Sequence, residues 1–431
     1  MCTRKSFKLL GLFGVAFLLS SGLALTQAAE AKPAKLELWT FVNTHARWFR
    51  SMAEDYEKVN PGFKLKVTEI AYDEMHDKLL ISLQTGIGAP DMADVEQGRF
   101  GGFILGKIGF VDLTEKLKAG GYLEQLVASR MALYTWKGKI YGVEHALCPV
   151  VLYYRTDVFE DAGITVPLET WDDFITAGQK LSKGKVKMIA LGPDLWPILL
   201  RQRGLDLFDE NADLTADSPK EIETLAWLFD LRNKYGIAED PPGGTVYNPA
   251  WYGALKEGAY LTHMGADWYA GFLEDNVAEL SGKWGAMPLP YWKDDPYKTR
   301  TSCLGGTGNT ITKFSKNQDE AWEFMKFSML SVEGNVRRYL LTKLWPPLKP
   351  SWEDERLYKP SPYFGDQVLG QLFAEVGPEV PAQHQSPYLP MFHSGAEPWI
   401  TKYWRDIIDG RKTPEQAAKE YSKIVREKMQ S

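Results

Sequence analysis

The chain has 431 residues, 50 Lys and Arg against 56 Asp and Glu, and a net charge of −6; it carries 15 Trp and only 3 Cys. Such a length holds two or three domains with cores of their own. The acidic balance argues against nucleic acid, whose binding relies on clustered basic side chains, and three cysteines are too few for a disulfide scaffold.

Residues 1–31 read as an export signal. Arg4, Lys5 and Lys8 precede an apolar run from Leu9 to Leu25, and Ala29-Glu30-Ala31 gives the small-x-small pattern of a cleavage point, placed after Ala31. The run is rich in Gly and Ser and short of the roughly 20 apolar residues that a span needs, an uncleaved anchor being the alternative. Cys2 precedes the run, so no lipid-anchor cysteine stands at the cleavage point. The expected location is the periplasm. Without the leader's three basic residues and one acid, Glu30, the remaining 400 residues carry a net charge of −8 and two cysteines, Cys148 and Cys303. An exported, acidic, tryptophan-rich chain suggests a carbohydrate ligand.

The mature part opens on a strand, Leu36-Glu37-Leu38-Trp39, followed by a helix over 45–59 with Trp48, Met52, Tyr56 and Val59 on one face. Asn60-Pro61-Gly62 stops it. Leu65 and Val67 alternate with polar residues in a second strand, a helix over 72–85 carries Met75, Leu79 and Leu83, and a short strand surrounds Met92 to Val95. Strand, helix, strand, helix, strand predicts a βαβαβ unit and a parallel sheet. Ligands of such sheets bind beyond the carboxyl ends of the strands. The loops at Asn43-Thr44-His45 and Glu96-Gln97-Gly98-Arg99 lie at two of those ends, with Asn43 or Thr44 also able to cap the helix. Further on, Thr170 is a predicted cap for a helix opened by Trp171, 206–214 reads as a solvated hairpin with Asn211 in its turn, and helices are expected over 219–234, 319–330 and 414–428. Residues 344–350 form a proline-rich connection.

Catalytic signatures are missing. The six His show neither an i, i+4 pair nor a Cys partner, so no metal site is expected. Gly305 to Thr310 is glycine-rich but lacks the Lys and Ser/Thr of a phosphate loop, and there is no Gly-x-Ser-x-Gly elbow. No cofactor and no catalytic residue are expected. Carboxylates abound, yet sequence cannot bring two within the roughly 5–10 Å of glycoside hydrolysis, and a secreted glycoside-acting enzyme is the second reading.

Four stretches, in order, resemble the solute-binding proteins of sugar ABC transporters, the family containing maltose-binding protein: 89–103 with Arg-Phe-Gly-Gly, 137–164, 260–275 with Gly-x-Trp-x-x-Gly, and 304–327. The opening Trp39 to Phe49 looks closest to the branch handling lactose or arabinose-type oligosaccharides. The resemblance implies a two-lobe α/β fold, lobe I holding 32–147 and 304–355 and lobe II 148–303 and 356–431, joined by a hinge of crossing strands with the ligand cleft between. It implies a non-catalytic, monomeric receptor that closes around a sugar or oligosaccharide and delivers it to permease subunits. Carried over by position, Asn43, His45 and Glu96 would line the first-lobe loops. Arg99 would bond sugar hydroxyls at the rim, and Trp268 would be the aromatic platform with Asp267 as hydroxyl acceptor. Pro193, Asp194 and Trp196 would line the second lobe, and Trp345 would skirt the cleft. Maltose-type members place a tryptophan where this chain has Val95 and Glu96, so a long maltodextrin is not implied, and Glu144 stands where the family's proline precedes the hinge. Cys148 and Cys303 lie in the two segments that resemble the hinge strands; a disulfide between them and two buried free thiols are both open readings.

Overall fold

The computed structural model describes residues 35–395 and 397–431; the export signal and its cleavage point lie outside them. Strand β1 (Lys35–Thr40) runs parallel to β2 (Lys64–Glu69) and to β3 (Met92–Glu96), with Leu38 opposite Val67 on one side and Met92 on the other. Two later strands complete the sheet. Thr307–Ile311 lies antiparallel to β3, pairing Thr307 with Glu96 and Ile311 with Met92, and Val143–Glu144 lies antiparallel beyond it. The parallel βαβαβ start is therefore present, extended by one strand of opposite direction, Thr307–Ile311, and beyond it by Val143–Glu144, which runs with the first three.

Helix α1 (Asn43–Val59) covers this sheet through Trp48, Phe49 and Met52, which pack with Leu36, Leu38 and Phe324. The predicted face differs at one end: Val59 is 70 % exposed, because the helix has by then run past the sheet edge, while His45 and Phe49 are buried instead. Neither Asn43 nor Thr44 caps the helix. Val42 occupies the cap position without a side-chain bond, and Asn43 instead donates to Glu69 at 2.9 Å. Helix α2 (Tyr72–Thr85) buries Met75, Leu79 and Leu83 as its spacing predicts, and α3 (Gln97–Ile104) starts directly at the end of β3.

A second sheet has Val150–Arg155 at its centre, antiparallel to both Thr262–Ala266 and Trp284–Met287. Thr170 and Asp173 form a reciprocal capping box at the helix Trp171–Leu181, and the expected later helices are Pro219–Asn233, Gln318–Met329 and Pro414–Met429. Asp209 accepts the backbone N–H groups of Asn211 and Asp213 in the solvated hairpin, so the turn satisfies itself. Gln318–Met329 packs on the first sheet and Pro414–Met429 on the core of the second. The molecule is a two-lobe α/β fold, one main sheet to each lobe.

The chain crosses between the sheets where Leu147 donates to Trp345 O and His145 to Thr307 O, and where Pro149 bridges Cys303. Both cysteines are free thiols, which excludes the disulfide reading in this structure. Because Cys303 stands opposite Pro149 rather than Cys148, the two side chains point into different cores, Cys148 beside Val150 and Leu152, Cys303 beside Val151 and Tyr153. Buried Glu144 occupies the position before the hinge. It accepts from His145 N, Ala146 N and Thr307 N, and it pairs with buried Arg130 at 3.2 Å, which itself donates to the carbonyls of Ala146 and Gly305.

Candidate functional site

The carboxyl ends of β1 and β3, the crossing segments and the turn after Thr262–Ala266 surround a cavity of about 390 Å³. Its walls include His45, Glu96, Gly306, Trp268, Phe272 and Lys343. An adjoining cavity of about 370 Å³ lies on the second-sheet side, lined by Asp194, Tyr247, His263, Leu304, His393 and Thr401. Trp268, in the wall of the first, touches two residues that line the second. Its indole N–H donates to Leu304 O at 3.2 Å, and its ring packs against Phe272 and, at 6.0 Å between centroids, Tyr247. Gly305 lies beside that indole at φ +76°, a backbone conformation that side chains with a Cβ rarely adopt. An aromatic face bordered by charged and hydroxyl-bearing groups suits a ligand with apolar C–H faces and polar edges.

Glu96 caps α3, accepting from Gly98 N at 2.7 Å, and accepts from the Tyr72 hydroxyl at 3.0 Å. Burial pushes its carboxyl up to about 7, against the lowering by Tyr72 and Gly98. His45 lines the first cavity and bonds through Nδ1 to Asp94 Oδ2 at 3.1 Å. Asp194 lines the second; burial raises its carboxyl, and His393 opposes that rise.

The remaining predicted positions are placed elsewhere. Asn43 is exposed on Glu69, and Arg99 is held by Asp73 and Asp77 of α2 under the Tyr72 ring. Asp267 is fully buried, its two oxygens accepting Trp268 N at 2.8 Å and Trp345 N at 2.6 Å, and burial pushes its carboxyl up to about 7. It anchors the turn that carries Trp268. Trp345 is buried among Tyr339, Trp352 and Phe373. Trp196 is also core, its ring tilted against Trp399 at 4.5 Å between centroids and its N–H on Glu221 O. Neither indole reaches a cavity wall.

Asp94, His145, Tyr247, His393 and Lys343 escaped the sequence reading. Asp94 alone left a signal, a charged residue inside an otherwise apolar strand, which is rarely buried unless paired. His45, Asp94 and His145 bring their ligand atoms within 4.8 Å of one another, a spacing open to a metal ion. The carboxylate's acceptor positions are, however, taken by Thr40, His45, His145 and Asn309, so Asp94 is satisfied by hydrogen bonds alone.

The sequence profile of the bacterial extracellular solute-binding proteins matches residues 43–333. An arabinooligosaccharide-binding protein of Halalkalibacterium halodurans is 30 % identical over 410 residues, covering 92 % of this chain and 90 % of that one. Among solved structures, an extracellular solute-binding protein of family 1 superposes with a TM-score of 0.76 at 19 % identity over 91 % of this chain and 100 % of its own. A cyclo/maltodextrin-binding protein complexed with maltotetraose gives 0.71 at 20 %, over 94 % and 99 %. At those identities the two structures speak for the fold alone. The matched profile and the relative that spans nearly the whole chain decide the family: this protein belongs to the bacterial extracellular solute-binding proteins, which bind a solute and do not transform it.

Proposed function

We propose that this protein captures a neutral sugar or oligosaccharide in the periplasm and delivers it to the permease subunits of an ABC transporter. The observation that carries this reading is Trp268, whose ring lines the first cavity and touches Tyr247 and Leu304 in the wall of the second. Two cavities in series favour an oligosaccharide over a single ring. The relative named for arabinooligosaccharides makes these sugars the first candidates. His45, Glu96 and Trp268 would touch the ligand in one cavity and Asp194 in the other, with Asn43, Arg99, Asp267, Trp196 and Trp345 holding the surrounding walls. Lobe I would comprise 32–147 and 304–355 and lobe II 148–303 and 356–431; the crossings near 147 and 303 support the first two bounds, and the third crossing lies at Trp345. Residues 1–31 would be cleaved on export, and the mature chain would act as a monomer.

A thermal-shift screen over arabinobiose, arabinotriose, lactose, maltotetraose and the monosaccharides tests the reading. A ligand at 100 times its Kd stabilises by about 2.7 kcal/mol, a readily measured shift. Stabilisation by an arabinooligosaccharide is expected; a flat response to every sugar would overturn it. Steady release of reducing ends from the same oligosaccharides would instead revive the glycoside-acting enzyme.

A further inference from the structure

Asp94 sits at the centre of the first lobe with none of its surface exposed. Four donors from four parts of the fold converge on it. Thr40 Oγ1 at 2.8 Å and His45 Nδ1 at 3.1 Å reach Oδ2; His145 Nε2 and Asn309 Nδ2, both at 2.9 Å, reach Oδ1. Burial alone would favour the neutral acid, but the adjacent His145 and His45 outweigh it and hold the carboxyl far below the usual carboxylate range. An ionised carboxylate only accepts, so each histidine nitrogen facing it carries its hydrogen.

The His45 ring is fixed in that attitude. It stacks on His145 with 4.2 Å between centroids and 12° between planes, and His145 is wedged edge-on against Trp48 and Phe49. A flipped His45 ring would set a carbon against the carboxylate. Among the described residues nothing pairs with His45 Nε2, although the side chain forms part of the cavity wall. The same wall carries Arg47 and Lys343, which can only donate, beside the carboxylates of Glu96, Glu274 and Asp275.

We propose that Asp94 is a positioning residue: it holds His45 with its hydrogen on Nδ1, so that Nε2 faces the cleft as a bare acceptor and selects a ligand that donates a hydroxyl hydrogen there. This rests on the reading of the cleft as a sugar site. A hydroxyl satisfies Nε2, while the same position blocked as a methyl ether leaves a desolvated lone pair facing carbon.

The test uses the mature full-length chain labelled with ¹⁵N-histidine, His45 being assigned by its loss in His45→Asn. The expected two-bond ¹⁵N–¹H spectrum, recorded without sugar, shows His45 Nδ1 protonated and Nε2 bare, with both nitrogens moving towards the tautomeric average in Asp94→Asn. A residue that merely braces the fold would lower stability and leave that signature unchanged. Calorimetry with arabinotriose supplies the second readout. His45→Asn keeps a donor near Asp94 but removes the cleft-facing nitrogen, and it is expected to weaken binding about ten-fold, the scale of one buried hydrogen bond. His45→Gln, which restores a polar atom near the Nε2 position, is expected to recover part of that loss. A protonated Nε2 in the wild-type spectrum, or wild-type affinity in His45→Asn, overturns the proposal. Should Asp94→Asn fail to fold, the wild-type spectrum and the two His45 variants decide it. Failure of the unaltered chain to bind arabinotriose beside a bare Nε2 would count against the sugar assignment and leave the tautomer established.

Discussion

Trp268 owes its place to Asp267. The buried carboxyl pins the backbone on both sides of the cleft wall, at Trp268 N and Trp345 N, and the indole N–H is tied to Leu304 O. The ring is thus held flat before any ligand arrives, and little of its freedom remains to be lost on binding. Trp268→Ala is expected to weaken sugar binding ten-fold or more, since an aromatic contact contributes about 0.5–1.5 kcal/mol beyond its buried area. Because the residue is only partly buried, unfolding should stay cooperative. Calorimetry beside a melting curve checks both, and unchanged affinity with a collapsed melting temperature would make Trp268 a core residue. Glu96 makes a different prediction. Burial raises its folded pKa to about 7 from an ordinary 4.5, so its protonated form is favoured in the fold. That contribution is complete below the unfolded value and is lost as pH rises through about 7. Glu96→Gln should therefore flatten the fall in stability between pH 4.5 and 7, read from denaturant midpoints; an unchanged slope would show that Glu96 is ionised throughout.

Helix α3 shows why an element can be legible while its purpose is not. The Arg-Phe-Gly-Gly stretch stands out in the sequence, but Gly101 has no unusual backbone conformation to explain it. The reason lies in a segment almost three hundred residues later. A Cβ at Gly101 would approach Ser386 O to 2.3 Å and Pro390 Cδ to 2.8 Å. Gln383 and Gln385 bond Gln97 at the start of the same helix, the latter at 3.1 Å to its carbonyl oxygen. The segment itself belongs to the other side, with Leu389 and Phe392 in the second core and His384 N on Asp206. Residues 383–393 thus clasp α3 across the cleft, and Gly101 is the point of closest approach. Gly101→Ala is expected to keep the fold and to weaken sugar binding several-fold, because the clash is met only when the lobes are together. Equal affinity in the variant would remove the clasp from the closing motion. Local periodicity placed α1, α2 and the late helices well, whereas contacts between elements far apart in sequence leave no such trace. That is why Tyr247 and His393 were missed, and why Trp196 and Trp345, tryptophans in the right stretches, proved to be core.

At the scale of the molecule, the two sheets are joined by segments that are rigid in themselves. Glu144, which stands where the family has a proline, and its partner Arg130 bind the two main crossing segments into one hydrogen-bonded unit at Thr307 N, Ala146 O and Gly305 O. Breaking a buried pair of this kind costs several kcal/mol, about 3–5 when one partner is removed, so it does not part during normal motion. Sequence resemblance could place the hinge, but the ion pair inside it joins positions whose pairing no spacing rule specifies. Rotation must therefore be absorbed outside the clamp, within which Gly306, at φ +140°, packs between Arg130 and Glu144 where only a glycine fits. A hinge of a few residues moves the lobes as rigid bodies. On the hinged capture proposed above, the contact of 383–393 with α3 belongs to the closed arrangement. In small-angle scattering the sugar-free chain should accordingly show a radius of gyration larger than that calculated from this structure, and saturating arabinooligosaccharide should bring it down to the calculated value. An identical scattering profile with and without a sugar that demonstrably binds would mean that the ligand enters a cleft already shut, and the hinged capture proposed here would have to be abandoned.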